Sequence, residues 1–244
     1  MSERIGASTA PTTPYWQSLL DGWPGGVSPA PPFQFGYPVR LPDGRVLVLP
    51  LRRLPEGGRA VASLIANQGS FAVVAALADH MANLAQATDA EVVIGMPTLG
   101  LTFAPLVAER LGHARYVPLG YSRKFWYDDA LSEPIFSITS PSGEKRLYLD
   151  PNAVPLLEGR RVCMVDDAVS TGSSVLAGHR LLARLGIELT AVVVAMKQTT
   201  RWQKPVGDVS PALRDSVQAV FGCPLFEEQS DGWVPVAGTL PAVP

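Results

Sequence analysis

The chain has 244 residues, with 20 Lys+Arg against 22 Asp+Glu and a formal charge of −2. At roughly 100–200 residues per domain, that is one domain with appendages or two small ones. Hydrophobic residues make up 47% and charged residues 17%, which excludes wholesale disorder, while the near-neutral balance argues against a general nucleic-acid binder with a basic face.

The longest uninterrupted apolar run is Phe71 to Ala78, far short of the roughly 20 residues a membrane span needs. No basic stretch followed by an apolar one opens the chain, so no signal peptide is expected. Cys163 and Cys223 make neither a disulfide scaffold nor a metal knuckle. The expected compartment is the reducing cytoplasm, with no nucleic acid and no membrane among the partners.

Glycine and proline are over-represented, at 22 and 23 residues. The prolines crowd the beginning, and residues 1–30 read as a loose Pro-rich arm. Trp16 and Trp23 mark places where such an arm docks. From Phe33 the pattern turns strand-like. Tyr37–Leu41 and Arg45–Leu49 flank the turn Pro42-Asp43-Gly44. Ser70 is placed to cap a helix, and Phe71, Val74, Ala75, Ala78, Met81 and Ala85 follow at helical spacing. Glu91–Gly95 is a short apolar strand. Met96–Gly100 is a loop, leading to a helix of about ten residues that ends near Leu111-Gly112. Tyr116–Leu119 is another short strand.

Tyr121 to Arg146 has no clean period and is too long for a passive connection. Short strands at Ile135–Ile138 and Leu147–Leu149 are expected inside it. Arg161–Val165 is a buried-strand pattern, followed by a helix from about Ser173 to Leu185 and a strand at Ala191–Met196. This alternation predicts βαβ units and a parallel sheet in an α/β fold. After Thr199, prolines make the sequence read as irregular.

The chemistry concentrates in Val162-Cys-Met-Val-Asp166-Asp167-Ala-Val-Ser170-Thr171-Gly172-Ser173-Ser174. An apolar strand delivers two adjacent carboxylates to the carboxyl edge of a sheet, where open α/β folds bind ligands. The following turn offers N–H groups and hydroxyls at a helix N-terminus, a cradle for phosphate. The ligand that fits has hydroxyls at one end and phosphate at the other, as ribose 5-phosphate does. Helix capping would account for one Asp after a strand. A pair abutting Ser-Thr-Gly-Ser-Ser points to a ligand.

That segment resembles the phosphoribosyl-pyrophosphate-binding motif of type I phosphoribosyltransferases: an apolar strand, two acids, two mostly apolar residues, then a small residue, Thr, Gly and small residues. Glu91–Gly100 resembles the family's pyrophosphate loop. Gly95, Gly100 and Thr102 also have P-loop spacing, but Leu101 stands where that motif needs lysine, which excludes a nucleoside triphosphatase on this loop. Leu99 stands where adenine-type members commonly place arginine. Tyr121-Ser122-Arg123-Lys124 is similar to the Arg-Lys step of adenine and xanthine phosphoribosyltransferases, and Asn67–Phe71 resembles the segment before the first core helix of purine-type members.

The resemblance spans about Phe33 to Glu228. It implies a parallel sheet flanked by helices, with a core at about 65–200 and a small hood from about 31–64 plus 200–244, all within one domain at 31–244. It implies transfer of the 5-phosphoribosyl group from phosphoribosyl pyrophosphate to a nucleobase, a purine, with release of pyrophosphate. Asp166 and Asp167 would be catalytic. Thr98, Gly100, Arg123, Lys124, Ser170, Thr171, Gly172, Ser173 and Ser174 would bind phosphoribosyl pyrophosphate. Mg²⁺ would be held through the pyrophosphate and the ribose hydroxyls, with no direct protein ligand. The stretch from Phe125 to Lys145 would be the closing loop.

Lys197 follows the last core strand, as in members that bind 6-oxopurines. It reads either as a donor to a ring carbonyl, which favours a 6-oxopurine over adenine, or as surface charge. Trp202 reads either as a ring that stacks on the base or, by preference, as a packing residue of the hood. The family also implies a homodimer. The alternative is a regulatory protein that binds the same ligand without turnover. Pro29-Ala-Pro-Pro32 leaves a weaker option, an arm that docks a partner in a polyproline II conformation.

Overall fold

The computed structural model describes residues 12–23, 30–34, 36–135 and 145–243. The expected hairpin forms from β1 (Gly36–Arg40) and β2 (Val46–Arg53). At its tip the Asp43 carboxylate accepts from the Arg45 N–H and guanidinium. β3 (Arg59–Ala62) pairs antiparallel with β2. α1 (Phe71–Gln86) is capped as expected: the Ser70 hydroxyl accepts from the Val73 N–H at 3.2 Å. Phe71, which heads the expected apolar stripe, is 94% exposed. It sits in the first turn, ahead of the residues that reach the core.

β4 (Val92–Gly95) leads to a short 3-10 turn at Leu99–Thr102 and then α2 (Ala104–Arg110), so the single helix expected here is divided. β5 (Val117–Pro118) follows. β6 (Ser132–Ile135) and β7 (Lys145–Tyr148) pair antiparallel. The first lies earlier than expected, and residues 136–144 lie outside the described residues. β8 (Arg161–Val169) runs straight through the acid pair, α3 (Ser173–Arg184) follows, and β9 (Glu188–Gln198) returns.

The stretch after Thr199 is ordered rather than irregular. α4 (Gln203–Val209), α5 (Pro211–Asp215) and β10 (Val217–Cys223) are succeeded by β11 (Leu225–Gln229) and β12 (Gly232–Pro235). The prolines start structure here instead of breaking it. Pro211 opens α5, where a missing N–H costs nothing, and the Ser210 hydroxyl caps it by accepting from the Leu213 N–H.

Two five-stranded sheets result. One is wholly parallel, in the order β10-β9-β8-β4-β5; the other is antiparallel, in the order β1-β2-β3-β11-β12. The second thus joins strands from early and late in the chain, and the Arg53 guanidinium clasps the Glu228 carboxylate across it. Alternate residues of the parallel strands face opposite layers. Cys163, Val165 and Val193 pack with α1, α2 and the antiparallel sheet, while Val162, Met164 and Val192 pack with α3, α4 and α5. Part of the arm is docked rather than loose. Trp16 is 1% exposed and its indole N–H donates to the Ser63 carbonyl, so an aromatic ring anchors residues 12–23 to the antiparallel sheet. Residues 1–11 and 24–29 lie outside the described residues.

Candidate functional site

The strand order locates the crevice. From β4 the chain moves outward to β5, then crosses back to the other side of β4 to lay down β8, β9 and β10. Such a reversal opens a cleft at the carboxyl ends of β4 and β8, where open α/β sheets bind ligands. The loop at 96–100 and the acid pair meet there.

Asp166 is 6% exposed, and its Oδ1 accepts from the Asp167 N–H at 2.9 Å. Burial, then the neighbouring Asp167 charge, holds its carboxyl well above the usual carboxylate range, and burial raises Asp167 too. The charged form of the pair is therefore disfavoured until a ligand supplies donors or positive charge.

The loop after β4 is stitched to the acid strand. The Met96 N–H donates to the Val165 carbonyl at 2.9 Å, and the nearby Gly100 amide offsets a small part of the rise in the Asp166 pKa. A Cβ at Gly100 would stand 2.7 Å from Asp166 Oδ1 and 2.8 Å from both Asp166 Cα and the Val165 carbonyl oxygen. Only glycine allows that approach. The Pro97–Thr98 peptide is cis. Thr98 is exposed at the mouth of the loop, with its side chain free of any helix-capping bond.

The loop after β8 is held differently. Gly172 is left-handed, with φ of 82°, and begins α3. The Thr171 and Ser173 hydroxyls bond each other at 3.0 Å, and the Ser173 N–H leans toward Thr171 Oγ1 at 3.4 Å. A Cβ at Gly172 would meet Val206 Cγ2 at 2.7 Å, with Trp202 also beneath. The crowding falls on the protein side of the turn, not on the side that faces an anion. Ser170 and Ser174 are part-buried at the rim of the same turn.

Arg123 and Lys124 are exposed and contact neither loop among the described residues. The Arg123 fork is taken by Asp129, with Nε to Oδ1 at 2.7 Å. Both partners are at least half exposed, so the pair is weak and exchangeable. Lys197 is not surface charge. It is 7% exposed at the end of β9, in register with Val169 and Gly222. Its ammonium donates to the Ala242 carbonyl at 3.2 Å and lies 5.8 Å from the Trp202 ring centre. Trp202 does pack, but under the loop after β8 rather than in the antiparallel sheet.

The sequence reading missed Tyr121 as a site residue. Its hydroxyl donates to the Pro97 carbonyl at 2.7 Å, bracing the loop after β4. Burial and the Asp166 and Asp167 charges push its phenol up to about 12. The Lys145 ammonium sits 4.5 Å above its ring. The available signal was a tyrosine immediately beyond a strand end. The histidines lie elsewhere: His80 bonds Asp43 at 3.1 Å on the outer surface, and His113 and His179 touch neither loop. Burial raises both cysteine thiols, Cys163 to about 12. No cluster of three metal-ligating side chains occurs among the described residues.

Residues 61–226 match the family model described as the phosphoribosyl transferase domain. Among curated relatives, an adenine phosphoribosyltransferase of Novosphingobium aromaticivorans is 33% identical over 156 residues, covering 61% of this chain and 79% of the relative. One of Streptomyces coelicolor is 30% identical over 146 residues, covering 59% and 75%. Among solved structures, an adenine phosphoribosyltransferase of Rhodothermus marinus superposes with a TM-score of 0.54 at 19% identity, over 78% of this chain and 94% of that one. At that identity the likeness concerns the fold.

Proposed function

The chain belongs to the phosphoribosyl transferase domain family, and on that footing we propose that it moves the 5-phosphoribosyl group from phosphoribosyl pyrophosphate to a ring nitrogen of a purine, releasing pyrophosphate. The observation that carries this is the acid pair at the carboxyl edge of β8, flanked by two glycine loops that begin helical turns. The transition state of such a transfer resembles an oxocarbenium ion, so catalysis is positional and electrostatic.

Asp166 and Asp167 accept the ribose hydroxyls and offset charge developing on the sugar. The turn at 170–174 takes the 5-phosphate on its N–H groups and hydroxyls. The loop at 96–100 with Thr98 and Gly100 takes the pyrophosphate. Arg123 and Lys124 add charge once the weak Asp129 pair is exchanged. Asp166 and Asp167, through the ribose hydroxyls they accept, would help to hold a Mg²⁺ bound mainly by substrate oxygens, and such an ion would supply positive charge to offset that of the pyrophosphate. The antiparallel sheet is the hood over the base. A homodimer in a reducing cytoplasm is the setting this reading expects.

For the base, adenine comes first. It is the substrate in the names of the matched relatives. Lys197, the group that favoured a 6-oxopurine, already donates to Ala242. This reverses the order expected from Lys197 alone. The test is pyrophosphate release with phosphoribosyl pyrophosphate, Mg²⁺ and a panel of adenine, hypoxanthine, guanine, xanthine, uracil and orotate. Adenine is expected to lead. Preference for a pyrimidine removes the purine reading. Binding of phosphoribosyl pyrophosphate without release on any base leaves a regulatory protein.

A further inference from the structure

Beyond β12 the chain turns back over the carboxyl edge of the parallel sheet. Val236, Thr239 and Pro241 seat it. The Val236 N–H donates to the Leu225 carbonyl at 2.8 Å. Thr239 Oγ1 accepts from the Leu225 N–H at 3.0 Å and donates to the Val236 carbonyl at 2.6 Å. Pro241 is buried against Gly222 of β10, where a Cβ would meet the Pro241 carbonyl oxygen at 2.9 Å and its Cγ at 3.0 Å. One residue further on, the Ala242 carbonyl reaches the Lys197 ammonium. Gly222 and Lys197 are cross-strand partners. The missing side chain at Gly222 is thus the space through which the segment reaches Lys197.

Lys197 has three donor hydrogens and no acceptor of its own. Among the described residues it gets one carbonyl and the face of an aromatic ring. That ring, Trp202, carries a buried indole N–H with no acceptor among the described residues. The corner is rich in donors and poor in acceptors, and burial lowers the Lys197 pKa. An unmasked ammonium here would satisfy a ring carbonyl and would repel the donor amino group of adenine.

We propose that the segment 236–243 sets which purine the site accepts, by holding the Lys197 ammonium on the Ala242 carbonyl and so withholding it from the base. This rests on the purine-transfer reading above. With the segment seated the site suits adenine. With it displaced, Lys197 faces the cleft and a 6-oxopurine gains.

The test compares kcat/KM for adenine and hypoxanthine, by pyrophosphate release, in the intact chain, in a chain lacking residues 240–244, and in Pro241→Gly, which loosens the segment without shortening it. The ratio of hypoxanthine to adenine should rise about tenfold on removal and less in Pro241→Gly. In a Lys197→Met background the rise should vanish. If the shortened chain does not fold by circular dichroism, Pro241→Gly decides. An unchanged ratio with purine turnover intact overturns this proposal and spares the purine reading, and so does a rise of equal size in the Lys197→Met background. No turnover of any base by the intact chain overturns the purine reading and this proposal with it.

Discussion

The two glycine loops of the cleft look alike in sequence and are held by opposite means. In the loop after β4, Gly100 is demanded by its neighbour: the backbone and carboxyl of Asp166 stand where a side chain would go. In the loop after β8, Gly172 is demanded by its own backbone, with φ of 82°, and only secondarily by the tip of Val206. The first loop cannot shift without moving the acid pair. The second can repack at some cost. A glycine required by contact is tied to the acid pair, whereas a glycine required by conformation is tied to the turn.

The largest effect should come from Gly100→Ala. Three atoms lie under 3.0 Å, two of them backbone, so no rotamer change relieves the clash. Overpacking of about 1–3 kcal/mol is expected, together with a fall in turnover of about 10²-fold or more as Asp166 is displaced. Thermal melts and pyrophosphate release check both. Normal turnover would break the tie between loop and acid pair.

Next, Asp166→Asn or Asp167→Asn should each lower turnover about 10²-fold, as lost transition-state electrostatics does. Yet Asp166→Asn should melt higher at pH 7. Both carboxyls are raised in the folded protein, so the folded state holds protons that the unfolded chain releases near pH 4. The pair therefore costs no stability below that value, and its cost grows as pH rises through the unfolded value toward the raised folded ones. A pH series of melting temperatures should fall over this window in the parent and flatten in Asp166→Asn. An equal slope in both would show that the raised pKa values do not govern stability.

Gly172→Ala is the milder counterpart. The left-handed backbone costs roughly 1–2 kcal/mol, and the Val206 clash adds to it. The double variant with Val206→Ala should recover part of the stability and of the phosphoribosyl pyrophosphate affinity measured by calorimetry. Full recovery would mean that φ matters little and that the two glycines are alike after all. The smallest effect is Tyr121→Phe. It removes one bond to the Pro97 carbonyl, worth about 0.5–1.5 kcal/mol. A several-fold rise in KM for phosphoribosyl pyrophosphate is expected. The pH profile should stay unchanged below about pH 10, because the phenol is pushed up to about 12. A new inflection near neutrality would assign Tyr121 a titrating role.

Long periodic segments were legible in the chain. α1 and α3 lie where apolar spacing, the Ser70 cap and the closing Gly186 put them, and β8 starts where expected but runs on through the acid pair to Val169. The end of the chain was not. Pro205 and Pro211 read as breakers, but in the first turns of α4 and α5 they cost no hydrogen bond. β11 is short, and beside its hairpin partner β12 it pairs with β3, a strand that sequence order does not announce. The arm reads as loose because proline dominates its composition, whereas the buried Trp16 indole and the paired Leu20 and Val46 backbones seat residues 12–23.

What the sequence by itself determined is the local machinery: two acids late in a strand, and a small-residue turn that starts a helix. Strand, turn and cap are short-range structures set by residues adjacent in the chain. What only the tertiary structure decided is who touches that machinery. Gly100 meets Asp166 because β4 and β8 are neighbours in the sheet. Tyr121 braces Pro97 across a helix and a strand. Ala242 reaches Lys197 from 45 residues away. Such contacts follow from how layers close on one another. Closure is driven by burial that is blind to residue order, so no local pattern announces which distant carbonyl a lysine will find.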